Sequence, residues 1–129
     1  MPQPPVELTE AEWHVIKAVW DREPCTAPDL QAALKPTTGW TYSTVRTLLD
    51  RMAAKGLLES RKEGKLTWFR SRVTREDAQA GELRYTLRHA FDDALTPMVQ
   101  RLLDTRGVST RELDELEALI RARRRRASR

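Results

Sequence analysis

The chain has 129 residues, 33% of them charged and 40% hydrophobic, with a formal net charge of +4 at pH 7. This length gives one compact domain, or one small domain with an oligomerisation appendage, and leaves little room for a large catalytic cavity. No apolar run approaches the roughly 20 residues of a membrane helix, and residues 1–12 lack the basic and apolar segments of a secretion signal. Cys25 is the only cysteine, so we expect no internal disulfide and a reducing, cytoplasmic location.

Positive charge is concentrated in the middle of the chain. Residues 40–75 carry nine basic and three acidic side chains, whereas residues 1–39 and 76–120 are net acidic. A segregated basic segment favours binding to a phosphate backbone, because that affinity comes largely from counterion release. An ordinary solvated surface is the alternative. The last nine residues add six arginines, interpreted either as a disordered solvated tail or as a source of nonspecific attraction to DNA.

Two capping boxes predict the first two helices. Thr9 with Glu12 begins a helix expected to run to about Arg22, and Thr26 with Asp29 begins a second, short helix. Helical spacing predicts buried apolar faces, made by Trp13, Ile16, Val19 and Trp20 on the first helix and by Leu30, Ala33 and Leu34 on the second. The side chains expected to face outward from the first helix are Glu12, His14, Lys17 and Asp21. Pro36, the following threonine pair and Gly39 should end the second helix.

The third predicted helix has an apolar face and a polar face of unusual composition. It begins at Thr41 and is capped by Lys55-Gly56, with an apolar face of Val45, Leu48, Leu49 and Met52. The outer face carries hydroxyl and guanidinium groups, from Tyr42, Ser43, Thr44, Arg46, Thr47 and Arg51. Asp50 is the only acid between Thr41 and Lys55. Two strand patterns follow, residues 57–61 and 66–70, around a glycine-containing turn at residues 62–65, and they predict a β-hairpin.

Three more helices are predicted in the remainder. Thr74 with Asp77 caps a helix that should break near Thr96, because Pro97 cannot continue it without cost. Thr96 then caps a short helix. Ser109 with Glu112 caps the last helix, which should fray into the arginine-rich tail.

Three helices followed by a hairpin, with a basic and hydroxyl-rich third helix, are the order of a winged helix-turn-helix. The predicted fold class is mostly α with a small β-hairpin wing, with a DNA-binding domain in residues 1–73 and a helical dimerisation region with a basic tail in residues 74–129. Short hydroxyl side chains and arginine suit contacts with base edges in the groove. We therefore assign base reading to Ser43, Thr44, Arg46 and Thr47. The start of the third helix and the hairpin suit contacts with the DNA backbone. We assign these contacts to Trp40, Thr41, Tyr42, Arg51, Arg61, Lys62 and Lys65. A winged helix used only for protein contacts is the alternative.

The helices after residue 74 carry more apolar side chains than they can bury among themselves. Self-association about a two-fold axis would bury them and would present two reading helices to a palindromic site. The residues assigned to this dimer interface are Phe91, Leu95, Met98, Val99, Leu102, Leu103, Leu113, Leu116 and Ile120. Packing of these helices onto the amino-terminal domain of the same chain is the alternative.

The remaining features receive structural interpretations. Trp13, Trp20 and Trp68 are expected in the core, and Cys25 is expected to be a structural or idle thiol. His14 and His89 match no metal-ligand spacing, so no metal or cofactor is expected. The sequence contains no nucleophile elbow, phosphate-cradling glycine loop or evident pair of catalytic carboxylates, so an enzyme is not expected.

Four segments carry a family likeness: residues 8–20 (LTEAEWHVIKAVW), residues 40–52 (WTYSTVRTLLDRM), Lys55-Gly56-Leu57 and Arg61-Lys62-Glu63-Gly64. With them the chain resembles, over nearly its whole length, the penicillinase repressor (BlaI/MecI-type) family of winged-helix transcriptional repressors. The resemblance implies a homodimeric repressor of β-lactamase or related resistance genes. It also implies that the repressor stays on a palindromic operator until a partner, a membrane sensor-protease, signals the presence of antibiotic. The repressor is then cleaved.

Individual positions carry further implications of the resemblance. Thr44 and Thr47 match positions that contact bases, whereas Trp40, Thr41 and Arg51 match positions that contact the backbone. Family members commonly have lysine and glutamine where this chain has Ser43 and Arg46, which implies a different operator sequence. The cleaved bond aligns with Arg101-Leu102, which differs from the Asn-Phe pair associated with cleavage. The cysteine cluster of copper-responsive relatives is missing from this sequence, which argues against copper sensing.

Overall fold

The computed structural model describes residues 6–128, and the chain forms two compact units whose boundary falls inside one helix, between Tyr85 and Thr86. The elements of the described residues are α1 Glu10–Arg22, β1 Cys25–Thr26, α2 Ala27–Thr38, α3 Tyr42–Ala54, β2 Leu58–Glu63, β3 Leu66–Ser71, α4 Arg75–Phe91, α5 Leu95–Arg106 and α6 Thr110–Ala127. The predicted fold class, mostly helical with a small hairpin, is confirmed. Within residues 6–128, no helix is long and apolar enough to cross a membrane.

The first unit packs α1, α2 and α3 against a three-stranded antiparallel sheet of order β1-β3-β2. Fully buried apolar side chains from the three helices and the sheet make its core, among them Val15, Ile16, Val19, Leu30, Val45, Leu49, Met52, Leu58 and Phe69. Burying a side chain of this size stabilises a fold by about 1.5–3 kcal/mol. The core therefore fixes which side of α3 is inside and which side remains at the surface.

The predicted capping boxes at the starts of α1 and α2 are confirmed. Of the residues predicted to end α2, Gly39 does so with a φ of 68°, whereas Pro36 and the two threonines lie inside the helix, which continues to Thr38. Pro36 removes one backbone donor from the helix. In the same turn, the hydroxyls of Thr37 and Thr38 both donate to the carbonyl of Leu34, at 3.2 Å and 2.8 Å. These contacts stabilise the last turn around the proline.

The hairpin is confirmed, but its strands are longer than predicted. β2 runs to Glu63, which pairs with Leu66 of β3, so that the turn contains only Gly64 and Lys65. Gly64 has a φ of 63°, which glycine adopts without steric cost. The sequence did not predict β1, because two residues show no strand alternation. Cys25 of β1 pairs with Phe69 of β3, which is the central strand of the sheet.

Two side chains lie on the opposite side from the one predicted. Glu12, expected to face outward, is only 4% exposed. Trp68, expected in the core, is half-buried in a shallow cavity that Pro24 also lines. Successive strand residues face opposite sides of a sheet, and Phe69 occupies the core side, so Trp68 must face away from the core. Trp13 and Trp20 do pack against the core as half-buried side chains.

The amino-terminal segment packs closely on α4. Gly81 is buried, and a Cβ atom at this position would collide with the backbone carbonyl of Val6. Ala78, one turn earlier, is also fully buried. These two small residues let α4 pack against the first unit, which extends to Tyr85.

The break between α4 and α5 comes earlier than predicted. α4 ends at Phe91, and the next two residues, Asp92 and Asp93, have positive φ values of 49° and 66°. α5 begins at Leu95, so Pro97 lies inside its first turn. The backbone N–H groups of a first turn have no intrahelical acceptor, so a proline is accommodated there and does not end a helix.

α6 begins with the predicted capping box of Ser109 and Glu112. The prediction that it frays into the arginine-rich tail is wrong for the described residues, because the helix continues to Ala127. Arginine has a high helix propensity, and positive side chains near the carboxyl end of a helix interact favourably with its dipole. The alternative of a disordered tail therefore does not hold for residues 121–127.

Candidate nucleic-acid interface

One side of α3 lies at the surface of the first unit. Its exposed residues are Tyr42, Ser43, Thr44, Thr47, Asp50, Arg51 and Ala54, and Arg46 beside them is half-buried, whereas Val45, Leu49 and Met52 on the other side are fully buried. The 13 residues of the helix span about 20 Å, and the major groove of DNA is wide enough to admit an α-helix. The structure therefore brings the predicted base-reading residues of this helix onto one accessible face.

Thr41 and Thr44 form a hydrogen-bonded pair at the start of α3. The backbone N–H of Thr44 donates to the Thr41 hydroxyl oxygen at 3.2 Å, and the Thr41 hydroxyl donates to the Thr44 hydroxyl oxygen at 3.2 Å. A hydroxyl can donate one hydrogen bond and accept two, so Thr44 keeps capacity for an external partner beside its contact with Thr41. This geometry allows Thr44 to form a hydrogen bond with a base edge or a phosphate.

Arg46 is oriented by two neighbours. Its Nε lies 3.3 Å from Oδ1 of Asp50, one turn later on α3, and its guanidinium carbon lies 5.7 Å from the centre of the Phe69 ring on β3. A guanidinium has five N–H donors in a fixed fork, so an ion pair through Nε leaves the terminal amino groups available. Asp50, which the sequence identified only as the lone acid of this helix, is therefore a positioning residue for Arg46.

The loop before α3 is anchored on both sides of Trp40. The Gln31 side-chain amide donates to the Trp40 carbonyl at 3.2 Å, and the Trp40 backbone N–H donates to the Thr38 hydroxyl at 3.2 Å. The indole is half-buried against the core and meets the His14 ring edge-on at a centroid distance of 5.9 Å. Trp40 thus fixes the entry into α3 while part of its side chain stays accessible.

The basic residues of the hairpin lie on different faces. Lys62 shares its sheet face with Ser60 and Phe69, the face that packs toward α3, and Lys65 lies in the turn. Arg61 faces the opposite side, beside Trp68, and pairs with Glu63 at 3.4 Å. The structure therefore places Lys62 on the sheet face that packs toward α3, leaves Lys65 at the tip of the hairpin, and puts Arg61 on the opposite face.

An ion pair between buried Glu12 and half-exposed Lys55 links α1 to the end of α3. Nζ of Lys55 lies 2.7 Å from Oε2 of Glu12, and Oε1 of Glu12 accepts the backbone N–H of Thr9 at 2.9 Å. Burial by itself raises the pKa of Glu12, but the hydrogen bonds from Lys55 and Thr9 outweigh it, and the pKa lies below its ordinary value. The two partners are 43 residues apart, so no local sequence pattern could have revealed the pair.

The predicted dimer residues lie in α5, α6 and the end of α4. Of these, Leu95, Val99, Leu102, Leu113, Leu116 and Ile120 are exposed, and Phe91, Met98 and Leu103 are half-buried. Leu102, Leu103, Val108, Leu116 and Leu119 line a groove between α5 and α6 of about 410 Å³. No residue between Thr86 and Ser128 is buried in the single chain. Arg101 and Leu102, the predicted cleavage position, are both exposed within α5.

Cys25 is fully buried in β1, and its thiol lies 3.9 Å from the carbonyl of Phe69. Burial, together with the nearby carboxylates of Asp29 and Glu23, raises the pKa of Cys25 to about 11. The thiol therefore stays protonated at neutral pH and is a poor nucleophile. In the described part of the chain, no group of three or more His, Cys, Asp or Glu side chains is placed to hold a metal ion.

The exposed helix α3, the helix pair before it and the hairpin after it define a winged helix-turn-helix DNA-binding domain. The sequence model of the family described as "Penicillinase repressor" matches residues 8–122. The chain therefore belongs to the penicillinase repressor family, and it is a DNA-binding repressor. The resemblance inferred from the sequence motifs is confirmed.

Individual relatives agree with this assignment. The methicillin resistance regulatory protein MecI of Mammaliicoccus sciuri is 22% identical over 88% of this chain and 93% of its own length. The penicillinase repressor of Bacillus licheniformis is 25% identical over 88% of this chain and 89% of its own length. Among solved structures, the DNA-binding domain of the repressor BlaI matches 60% of this chain and 93% of that chain, with 27% identity and a TM-score of 0.51. The Bacillus licheniformis BlaI monomer in complex with the blaP half-operator matches 57% of this chain and 90% of that chain, with 26% identity and a TM-score of 0.50.

Proposed function

We propose that this chain is a homodimeric transcriptional repressor that acts in the cytoplasm and binds a palindromic operator controlling β-lactamase or related resistance genes. The observation that carries the proposal is the exposed face of α3, which presents hydroxyl and guanidinium groups, followed in the chain by a hairpin with exposed lysines. The solved complex of a related repressor with a half-operator supports it. The names of the MecI and penicillinase repressor relatives support the choice of resistance genes.

Selection of bound sequences from a random duplex pool tests this function directly. A two-fold symmetric dimer should enrich a palindrome whose half-site centres lie about 10 base pairs, or a multiple of that, apart. A protein-interaction adaptor built on the same fold would enrich no sequence. Failure to enrich any sequence at low salt would therefore contradict the proposed function.

In this proposal, Ser43, Thr44, Arg46 and Thr47 read bases, and the residues around the start of α3 and the hairpin hold the backbone. Trp40, Thr41, Tyr42 and Arg51 would contact phosphates around the reading helix, with Lys62 and Lys65 on the wing. Arg61, on the other face of the hairpin, would not take part. The terminal amino groups of Arg46 suit the two acceptors of a guanine, O6 and N7. Phosphate contacts would set the position of the domain, and the base contacts would select the sequence.

We expect Thr44→Ala to lower affinity for the selected operator by about 1–3 kcal/mol, and affinity for random DNA much less. The hydroxyl lost in this variant is the one that keeps capacity for an external partner beside its contact with Thr41. Thr47→Ala should have the same kind of effect. Thr44→Ser keeps the hydroxyl and is the matched control, so it should retain most of the discrimination. Equal losses on operator and random duplex, measured by fluorescence anisotropy, would contradict base reading by Thr44.

We expect Lys62→Ala and Lys65→Ala to weaken binding to every duplex alike. Each phosphate contact removed should reduce the slope of log affinity against log salt by about 0.9. Arg61→Ala provides the comparison, because Arg61 lies on the other face of the hairpin and pairs with Glu63; its slope should change less. If both lysine variants keep the parental slope in salt titrations, the hairpin does not contact DNA.

The second unit supports the dimer. Its helices expose several leucine, valine and isoleucine side chains, and no residue from 86 to 128 is buried in the single chain. Apolar surface of this extent favours a partner, because burying it contributes about 25 cal/mol per Å². A second copy of the same surface would supply that partner and would pair two reading helices.

Relief of repression by a membrane sensor-protease is part of the same proposal. Cleavage between Arg101 and Leu102 would cut α5 in its middle and would divide the apolar surface of the dimer region. The reading helix would stay intact, because its core lies entirely in the first unit. Loss of dimerisation would then release the operator without any change in the DNA-contacting residues.

A further inference from the structure

We propose that the carboxyl end of α6, residues 121–127, is a second DNA-binding element that contacts phosphates without reading sequence. This basic helix end contains Arg121, Arg123, Arg124, Arg125 and Arg126 and no acidic residue. The inference rests on the proposed DNA-binding function, but it concerns a surface separate from α3 and the hairpin.

The helical conformation concentrates the charge. Seven residues of helix span about 10 Å, so the five arginines place one positive charge roughly every 2 Å along the axis. Double-stranded DNA carries one negative charge per about 1.7 Å of its own axis. A disordered tail of the same composition would spread its charge over a much longer path. The basic helix end therefore matches the linear charge density of a duplex.

The apolar stripe of α6 ends where the basic helix end begins. Leu113, Leu116 and Ile120 recur at helical spacing, and the next positions on the same side are Arg123 and Arg124. Burying an unpaired guanidinium in an apolar contact costs several kcal/mol. The contact made by the stripe must therefore stop near Ile120, and the basic helix end extends beyond it into solvent or onto an anionic partner.

The arginines of the basic helix end are not neutralised within the described residues. Arg121 lies 3.9 Å from Glu117, whereas Arg123 to Arg126 make no ion pair in residues 6–128 and are exposed. Only cations in the last turn of a helix interact favourably with its dipole, and each such cation contributes about 0.3–1 kcal/mol. Five arginines on all sides of the helix exceed that need. Guanidinium forks bind phosphate oxygens in pairs, and a DNA-binding repressor already brings the duplex to this molecule.

The test compares the full-length parent with a variant carrying Arg→Gln at positions 123, 124, 125 and 126. Glutamine keeps a high helix propensity, so the helix should persist. On a 40-base-pair random duplex and on the selected operator, we expect the salt slope to fall by about two to four, equally on both DNAs. A matched variant with lysine at the same four positions keeps the charge and should keep most of the slope. Arg111→Gln, at the other end of α6, should leave the slope unchanged.

Several results would overturn the proposal. An unchanged slope in the glutamine variant, or an equal loss in the lysine variant, would show that the arginine charges do not contact phosphates. Arginine-dependent binding to vesicles containing phosphatidylserine, with no change in the DNA slope, would assign the basic helix end to a membrane surface. If the parent binds DNA and the glutamine variant keeps the parental salt slope, only this inference is rejected. A parent that binds no duplex rejects the proposed function as well.

Discussion

Leu102→Asp should convert the dimer to a monomer and lower affinity for the full operator by about 100-fold or more. Leu102 is 55% exposed in the single chain, so the aspartate is harmless in a monomer. In a dimer it would bury a carboxylate without a partner, which costs several kcal/mol. The loss in affinity follows because two linked reading helices gain from effective concentration, whereas a single one does not. Leu103→Asp should behave in the same way.

Gln100→Asp is the control for this prediction. It adds the same charge to an exposed polar position of α5, away from the apolar side of the helix, and it should leave the dimer intact. Sedimentation of the three variants and the parent gives the oligomeric state, and binding to a full palindrome and to one half-site gives the affinity. The folded first unit should survive in every variant. A Leu102→Asp variant that still sediments as a dimer, or a parent that is monomeric at micromolar concentration, would reject the assignment of these helices to dimerisation.

Glu12→Ala should lower the free energy of unfolding of the first unit by about 1–3 kcal/mol. The substitution removes both the acceptor for the Thr9 backbone N–H and the partner of Lys55. Glu12→Gln retains an acceptor for Thr9 and loses the charge, so it should cost less. Lys55→Ala should reproduce only the ion-pair part of the loss, because Lys55 is half exposed and leaves a carboxylate still bonded to Thr9. Urea unfolding of the full chain at pH 7 measures all three.

The same pair predicts a dependence of stability on pH. The folded state lowers the pKa of Glu12, so the folded protein binds this proton less tightly than the unfolded chain does. The stabilisation is fully present above the unfolded pKa of about 4.3 and is lost as the pH falls through the lower folded value. The difference in unfolding free energy between the parent and Glu12→Gln should therefore shrink as the pH falls below about 4. A difference that stays constant from pH 7 to pH 3 would show that the charge of Glu12 contributes nothing.

The sequence by itself determined the features that depend on near neighbours in the chain. Capping boxes involve residues three apart, and helical stripes and strand alternation are local periods, so Thr9 with Glu12, the apolar face of α3 and the hairpin around Gly64 were predictable. The exposed hydroxyl and guanidinium face of α3 followed from the same period, because burying one side of a helix exposes the other. The family followed from motifs at those positions.

Tertiary structure decided the features that depend on distant partners. Glu12 is buried because Lys55, 43 residues away, neutralises it, and Gly81 is required because the backbone of Val6 crosses it. Trp68 faces away from the core because pairing in the sheet sets which of two neighbouring residues points inward. Propensity and periodicity describe one segment at a time, whereas burial and charge pairing are settled only when the segments meet.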